Sequence, residues 1–130
     1  MTTMPRRLPA LSAAVAFTLL LSGCAEPSGA GQPVGQQVLG QWGDDEASSP
    51  WLRFDEGGVL TGSDGCNWLS GEWSVEDGRI EAPAIVRTEM WCEDTTQWLE
   101  GLHSMEVHGD ELVVFDADGE RLGSLPRDGE

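Results

Sequence analysis

From Val38 onward the apolar residues come in short runs, broken by turn formers about every 8 to 12 positions, and this rhythm predicts a mostly antiparallel β domain. Trp51-Leu52-Arg53-Phe54 meets Asp55-Glu56-Gly57-Gly58 and is answered by Val59-Leu60-Thr61-Gly62, which predicts a hairpin with glycines supplying positive φ. Trp73-Ser74-Val75, Glu76-Asp77-Gly78 and Arg79-Ile80-Glu81-Ala82 predict a second hairpin. Glu111 to Phe115, the turn Asp116-Ala117-Asp118-Gly119, and Glu120 to Leu125 predict a third, and Ala84 to Met90 a further strand.

A different period governs residues 93 to 105. Apolar side chains at 98, 99, 102 and 105 follow helical spacing and predict one short helix packed on the sheet. Asp94 or Thr95 is its expected N-cap, and Asp94 also suits the positive helix start.

The first residues follow neither pattern. Arg6 and Arg7 precede an apolar run from Leu8 to Leu21, which is too short and too early for a dependable membrane span. The run ends Leu21-Ser22-Gly23-Cys24, which resembles the bacterial lipobox. That resemblance implies a lipoprotein signal peptide over residues 1–23, cleavage before Cys24, and lipid on Cys24 carrying acyl chains such as palmitate. Two chains suffice for stable anchoring, since each buried CH₂ contributes about 0.8 kcal/mol. The expected address is the extracytoplasmic side of the cell membrane or outer membrane of a bacterial envelope. Residues 24–37 are rich in Gly, Pro and Gln and read as a flexible tether, leaving residues 38–130 as the folded domain.

Charge narrows the partners. The 107 residues from Cys24 onward are enough for one modest core. The chain has seven arginines and no lysine; two arginines lie in the signal and all 23 acids follow it, so the mature chain carries five positive charges against 23 negative, a net −18. Such a polyanion excludes nucleic acid as a partner. The charge keeps the domain soluble, or attracts a basic envelope protein or peptide. A monomer is expected.

Two clusters point to a family. The first is Gly62-Ser63-Asp64-Gly65-Cys66-Asn67 followed by Gly71-Glu72-Trp73; the second is Thr88-Glu89-Met90-Trp91-Cys92. Together they resemble the META domain, the HslJ-like heat-shock protein family, with its Gly-x-x-Gly-Cys-Asn turn after a second strand and its Thr-x-Met-x-Cys strand before a helix. Gly40-Gln41-Trp42, Leu52-Arg53-Phe54 and Asp118-Gly119 agree, so the resemblance covers about residues 38 to 126. It implies an α+β, mostly β fold: a compact antiparallel sheet or partial barrel of short strands and hairpins with one short helix. It implies no catalytic residue, and a link to stress tolerance. In the motif itself, Gly62 and Gly65 are expected to permit a tight turn, Asn67 to bond local backbone, and Cys66 to be held against a neighbouring strand.

With Cys24 consumed by lipid, Cys66 and Cys92 form an even pair in an oxidising compartment. A disulfide is expected between them rather than free thiols or a metal, for His103 and His108 have no ligand spacing around them. Asp44-Asp45-Glu46 and Asp116 to Glu120 complete no twelve-residue calcium loop and are expected to be solvated turns. No metal or cofactor is expected. There is no Gly-x-Ser-x-Gly elbow, and no carboxylate pair stands apart among the 23 acids. The expectation is therefore a non-enzymatic lipoprotein with a binding or stress-related accessory role. A lipocalin-like carrier is the alternative and a small hydrolase the third reading. The six tryptophans are expected mainly to build the core rather than line a groove, with Trp68 and Trp91 at the surface beside a cleft.

Overall fold

The computed structural model describes residues 32–93 and 95–128, together with Thr3 and Pro5. The expected signal peptide apart from those two residues, Cys24, most of the tether, and Asp94 lie outside the described residues.

The described chain is mostly antiparallel β with one short helix, α1 (Val34–Gln37). One five-stranded sheet runs in the order β1 (Gly40–Gly43), β2 (Pro50–Phe54), β3 (Val59–Asp64), β4 (Trp68–Glu72) and β7 (Val86–Arg87). The other runs β10 (Arg121–Pro126), β9 (Glu111–Phe115), β8 (Ser104–His108), β6 (Arg79–Glu81) and β5 (Ser74–Glu76). The three predicted hairpins are β2–β3, β5–β6 and β9–β10. Aspartates close the turns of the first and third. Asp55 Oδ1 accepts the Val59 N–H at 2.8 Å, and Asp116 Oδ1 accepts those of Asp118 and Glu120, both at 2.9 Å. The acidic stretch from 116 to 120 thus bonds its own backbone, the ordinary use of Asp in a turn.

Inward residues of both sheets share one core. Trp42, Leu52, Leu60 and Phe54 come from the first sheet, Ile80, Met105, Leu112 and Val114 from the second, and all are buried. Burial of this apolar area is the main force holding sheet to sheet. The sheets meet along one seam without closing into a barrel. There Trp42 bridges Arg127, whose guanidinium lies 4.0 Å from the centre of the Trp42 ring and donates to the Gln37 carbonyl at 2.7 Å. Trp42 Nε1 donates to the Val38 carbonyl at 2.8 Å, so the buried indole leaves no polar atom unpaired.

Three elements differ from the sequence expectation. The tether does not extend to Gln37: α1 is already folded, with Val34 packed on the core and Val38 fully buried. The predicted helix after Asp94 is a single 3₁₀ turn, Trp98–Gly101, and Met105 belongs to strand β8. The same apolar positions are satisfied differently. Leu99 and Leu102 enter the core from the turn, Trp98 covers Gly123 on β10, and Met105 points inward from a strand. The second sheet needs β8 between β6 and β9, and that pairing overrides local helical spacing. The expected strand from Ala84 to Met90 pairs as a ladder only at Val86–Arg87, because beyond Thr88 a side chain replaces the neighbouring strand.

Two glycines shape the region where β3 ends. Gly62 lies in β3, as the hairpin pattern expects, and not in the tight turn expected of it with Gly65; a Cβ there would sit 2.4 Å from the Trp51 carbonyl oxygen. Gly65 does make the turn, at φ +94°, and a Cβ there would meet the Ser48 carbonyl oxygen at 2.7 Å. Gly65→Ala should therefore lower stability by about 2–4 kcal/mol, combining left-handed strain with a backbone clash. Gly119→Ala, at φ +81° with open space around it, should cost only about 1 kcal/mol. Urea midpoints of the two variants check the difference; equal losses would remove the crowding argument.

Candidate functional site

Asp64 ends β3 and is almost wholly buried. Its Oδ1 accepts the N–H groups of Cys66 at 2.9 Å and Asn67 at 2.6 Å, while its own N–H donates to the Asn67 carbonyl at 3.1 Å. With Gly65 in the left-handed region, this tight turn presents Cys66 and Asn67 to the segment from Thr88 to Cys92.

Asn67 then does what a strand would do. Its Oδ1 accepts the Met90 N–H at 2.5 Å and its Nδ2 donates to the Met90 carbonyl at 3.3 Å. One side-chain amide thereby pairs both polar groups of one residue, which requires a donor and an acceptor on the same planar group. The Thr88 hydroxyl also donates to Asn67 Oδ1 at 2.9 Å and accepts the Trp68 N–H at 3.1 Å. Asn67 was expected to bond local backbone; it reaches instead across 21 and 23 positions. Beside it, Cys66 and Cys92 form the expected disulfide, with Cα atoms 5.9 Å apart.

Of the motif residues, Gly65, Cys66, Asn67, Thr88, Met90 and Cys92 converge here, and Gly62 fits the strand leading into the turn. The sequence reading missed the roles of Asp64, Arg87 and Glu100. Arg87 lies 4.0 Å from Asp64 Oδ2 and 2.5 Å from Glu100 Oε1. An Asp followed by Gly-Cys-Asn is a visible signal for the Asp64 turn; nothing in the spacing of Arg87 and Glu100 announces their pairing. The histidines stand elsewhere. His103 Nδ1 is 3.8 Å from the Glu81 carboxylate, and His108 is an exposed strand end. Among the described residues, no three His, Cys, Asp or Glu side chains gather as a metal site requires.

A cleft of about 300 Å³ opens over the clamped segment, bounded by Asn67, Arg87, Thr88, Glu89, Met90, Trp91, Gln97 and Glu100. As the sequence reading expected, Trp68 and Trp91 are exposed, at 62% and 82%, and Met90 is 54% exposed. Trp68 meets the half-buried Trp51 edge to face, with ring centres 6.1 Å apart. Larger hollows of about 450 and 510 Å³ flank Trp73 at the far end of β4; Gly71, Glu72 and Trp73 of the first cluster line the former, whose walls are otherwise mostly glycine and short side chains, and Trp73 also lines the latter.

These features define a small two-sheet β domain with a covalently clamped surface loop. The META domain family model matches residues 31–129, and the chain belongs to that family. Among solved structures, an NMR structure of a protein from Burkholderia xenovorans is similar, at 15% identity and a TM-score of 0.54, covering 98% of this chain and 100% of that one. That likeness is one of fold. No curated protein matches the chain.

The clamp makes two predictions. Asn67→Asp keeps the shape but sets an oxygen against the Met90 carbonyl, and should cost about 2–3 kcal/mol. Replacing both cysteines by serine opens a loop spanning 26 positions and should cost about 3–4 kcal/mol by loop entropy. Chemical denaturation of each variant measures these losses; an Asn67→Asp domain as stable as the parent would show that the amide pairing does not hold the loop.

Proposed function

We propose that this META-domain protein is a non-enzymatic lipoprotein of the bacterial envelope, held by lipid on Cys24 at the extracytoplasmic face, with a binding or stress-related accessory role. The observation that carries this reading is the use to which the motif's polar side chains are put. Asp64 Oδ1, Asn67 and Thr88 bond the main chain and, between Asn67 and Thr88, one another, Asp64 Oδ2 faces Arg87 at 4.0 Å, and the cysteines are joined. The motif is thus a device for presenting a loop. A disulfide is at home in an oxidising compartment, which agrees with export. The core between the sheets is filled by Trp42, Phe54, Met105 and their neighbours, which favours recognition at the surface over a lipocalin-like interior site.

Cys24→Ala should leave an unprocessed or mislocalised precursor and abolish retention by membranes, measured by fractionation and by the mass of the mature chain. A variant that still fractionates with membranes like the parent would sink the lipid anchor. Crosslinking in intact cells should yield discrete protein adducts, whereas native mass spectrometry showing a co-purified small molecule would favour the carrier.

A further inference from the structure

Trp68 and Trp91 are the exposed large aromatic side chains among the described residues, Met90 beside Trp91 is exposed too, and their backbones are tied to one another. Trp68 is tied through its N–H and carbonyl to Thr88; Met90 is paired to Asn67; Trp91 is followed directly by the disulfide-bonded Cys92. Exposed tryptophan on an ordered backbone is the usual anchor of a binding surface, because little further entropy is lost on contact.

Acidic side chains outnumber cations around this surface, where Arg53 stacks on the Trp51 that meets Trp68 and Arg87 lines the cleft. Glu89 lies within the clamped segment, and exposed Glu93 follows Cys92. The exposed run Asp44-Asp45-Glu46 belongs to the loop whose Ser48 carbonyl packs against Gly65. The one cation lining the cleft, Arg87, is already occupied by Glu100 and faces Asp64. Indole faces beside uncompensated carboxylates suit a cation that stacks and forms ion pairs together, and a guanidinium does both. The domain itself uses this pairing at Arg53 over Trp51, 5.6 Å from the ring centre, and at Arg127 over Trp42.

We infer that the Trp68–Met90–Trp91 surface is a docking site for an arginine-bearing polypeptide segment. The inference rests on the accessory reading above and supplies the chemistry of its partner. Arginine side chains stack on Trp68 and Trp91, Met90 lies under the aliphatic stems, and Glu89, Glu93 and the 44–46 loop draw the segment in.

The test uses the full chain with its disulfide intact and three probes: a short arginine-serine peptide, the same peptide with glutamate for arginine, and a chitin-derived tetrasaccharide. Calorimetry should show saturable binding of the arginine peptide alone, with Kd of order 10 μM. Affinity should fall about tenfold or more in Trp91→Ala, whose exposed side chain can be removed without disturbing the core. Glu89→Gln with Glu93→Gln should weaken binding and flatten its salt dependence. Binding unchanged in Trp91→Ala, preference for the glutamate peptide or the saccharide, or a Trp91-dependent dimer in sedimentation would each overturn the proposal. The accessory reading stands or falls on crosslinking in intact cells, whatever these probes show, so the two failures are distinguishable.

Discussion

The surface architecture of this domain depends on one side-chain amide standing in for a β-strand. Met90 has a donor and an acceptor to pair, and no strand runs beside it on that edge. Asn67 supplies both partners from a turn 23 positions earlier. Asparagine has the length and the paired polarity for this; aspartate lacks the donor and serine lacks the second acceptor geometry. The Asp64 turn aims the amide, Gly65 permits the turn, and the disulfide keeps the two segments from drifting apart when those bonds open. Each conspicuous residue of the motif therefore has a mechanical task, and what the mechanism delivers is an ordered loop with Trp91 in solvent.

The two ends of the first sheet are put to different uses. At one end of β4, Trp73 packs against Phe54 and donates its backbone N–H to the Gly58 carbonyl, near α1. At the other end stand the Asp64 turn, the disulfide and the exposed tryptophans. α1 thus lies at the opposite end of β4 from the clamped loop.

Much of this was legible because it is local. Hairpins announce themselves through alternation and Asp/Gly turns, so β2–β3, β5–β6 and β9–β10 could be read directly, and the cysteine pair followed from counting. What could not be read is pairing between distant segments. Met105 fits a helical stripe as well as it fits the inner face of β8, and only the partners on β6 and β9 decide. Gly62 looks like a turn residue until the Trp51 carbonyl is found where its Cβ would be. The target of Asn67 was hidden for the same reason: an amide declares that it will bond, but not to what. Val34 and α1 were lost in a Gly/Pro/Gln-rich composition that masks a single apolar side chain reaching the core.

The seam between the sheets carries a consequence for when the domain can form. Its first strand is latched by Arg127, which stacks on Trp42, donates to Gln37 and pairs with Asp110, while the Asp128 N–H donates to the Gln41 carbonyl. A chain emerging in sequence order has Trp42 long before it has Arg127. Until Arg127 and Asp128 are in place, the indole face lacks its cover and β1 has a partner on one side only. Closure therefore joins residues 42 and 127, a pairing of large sequence separation and of the kind that forms slowly.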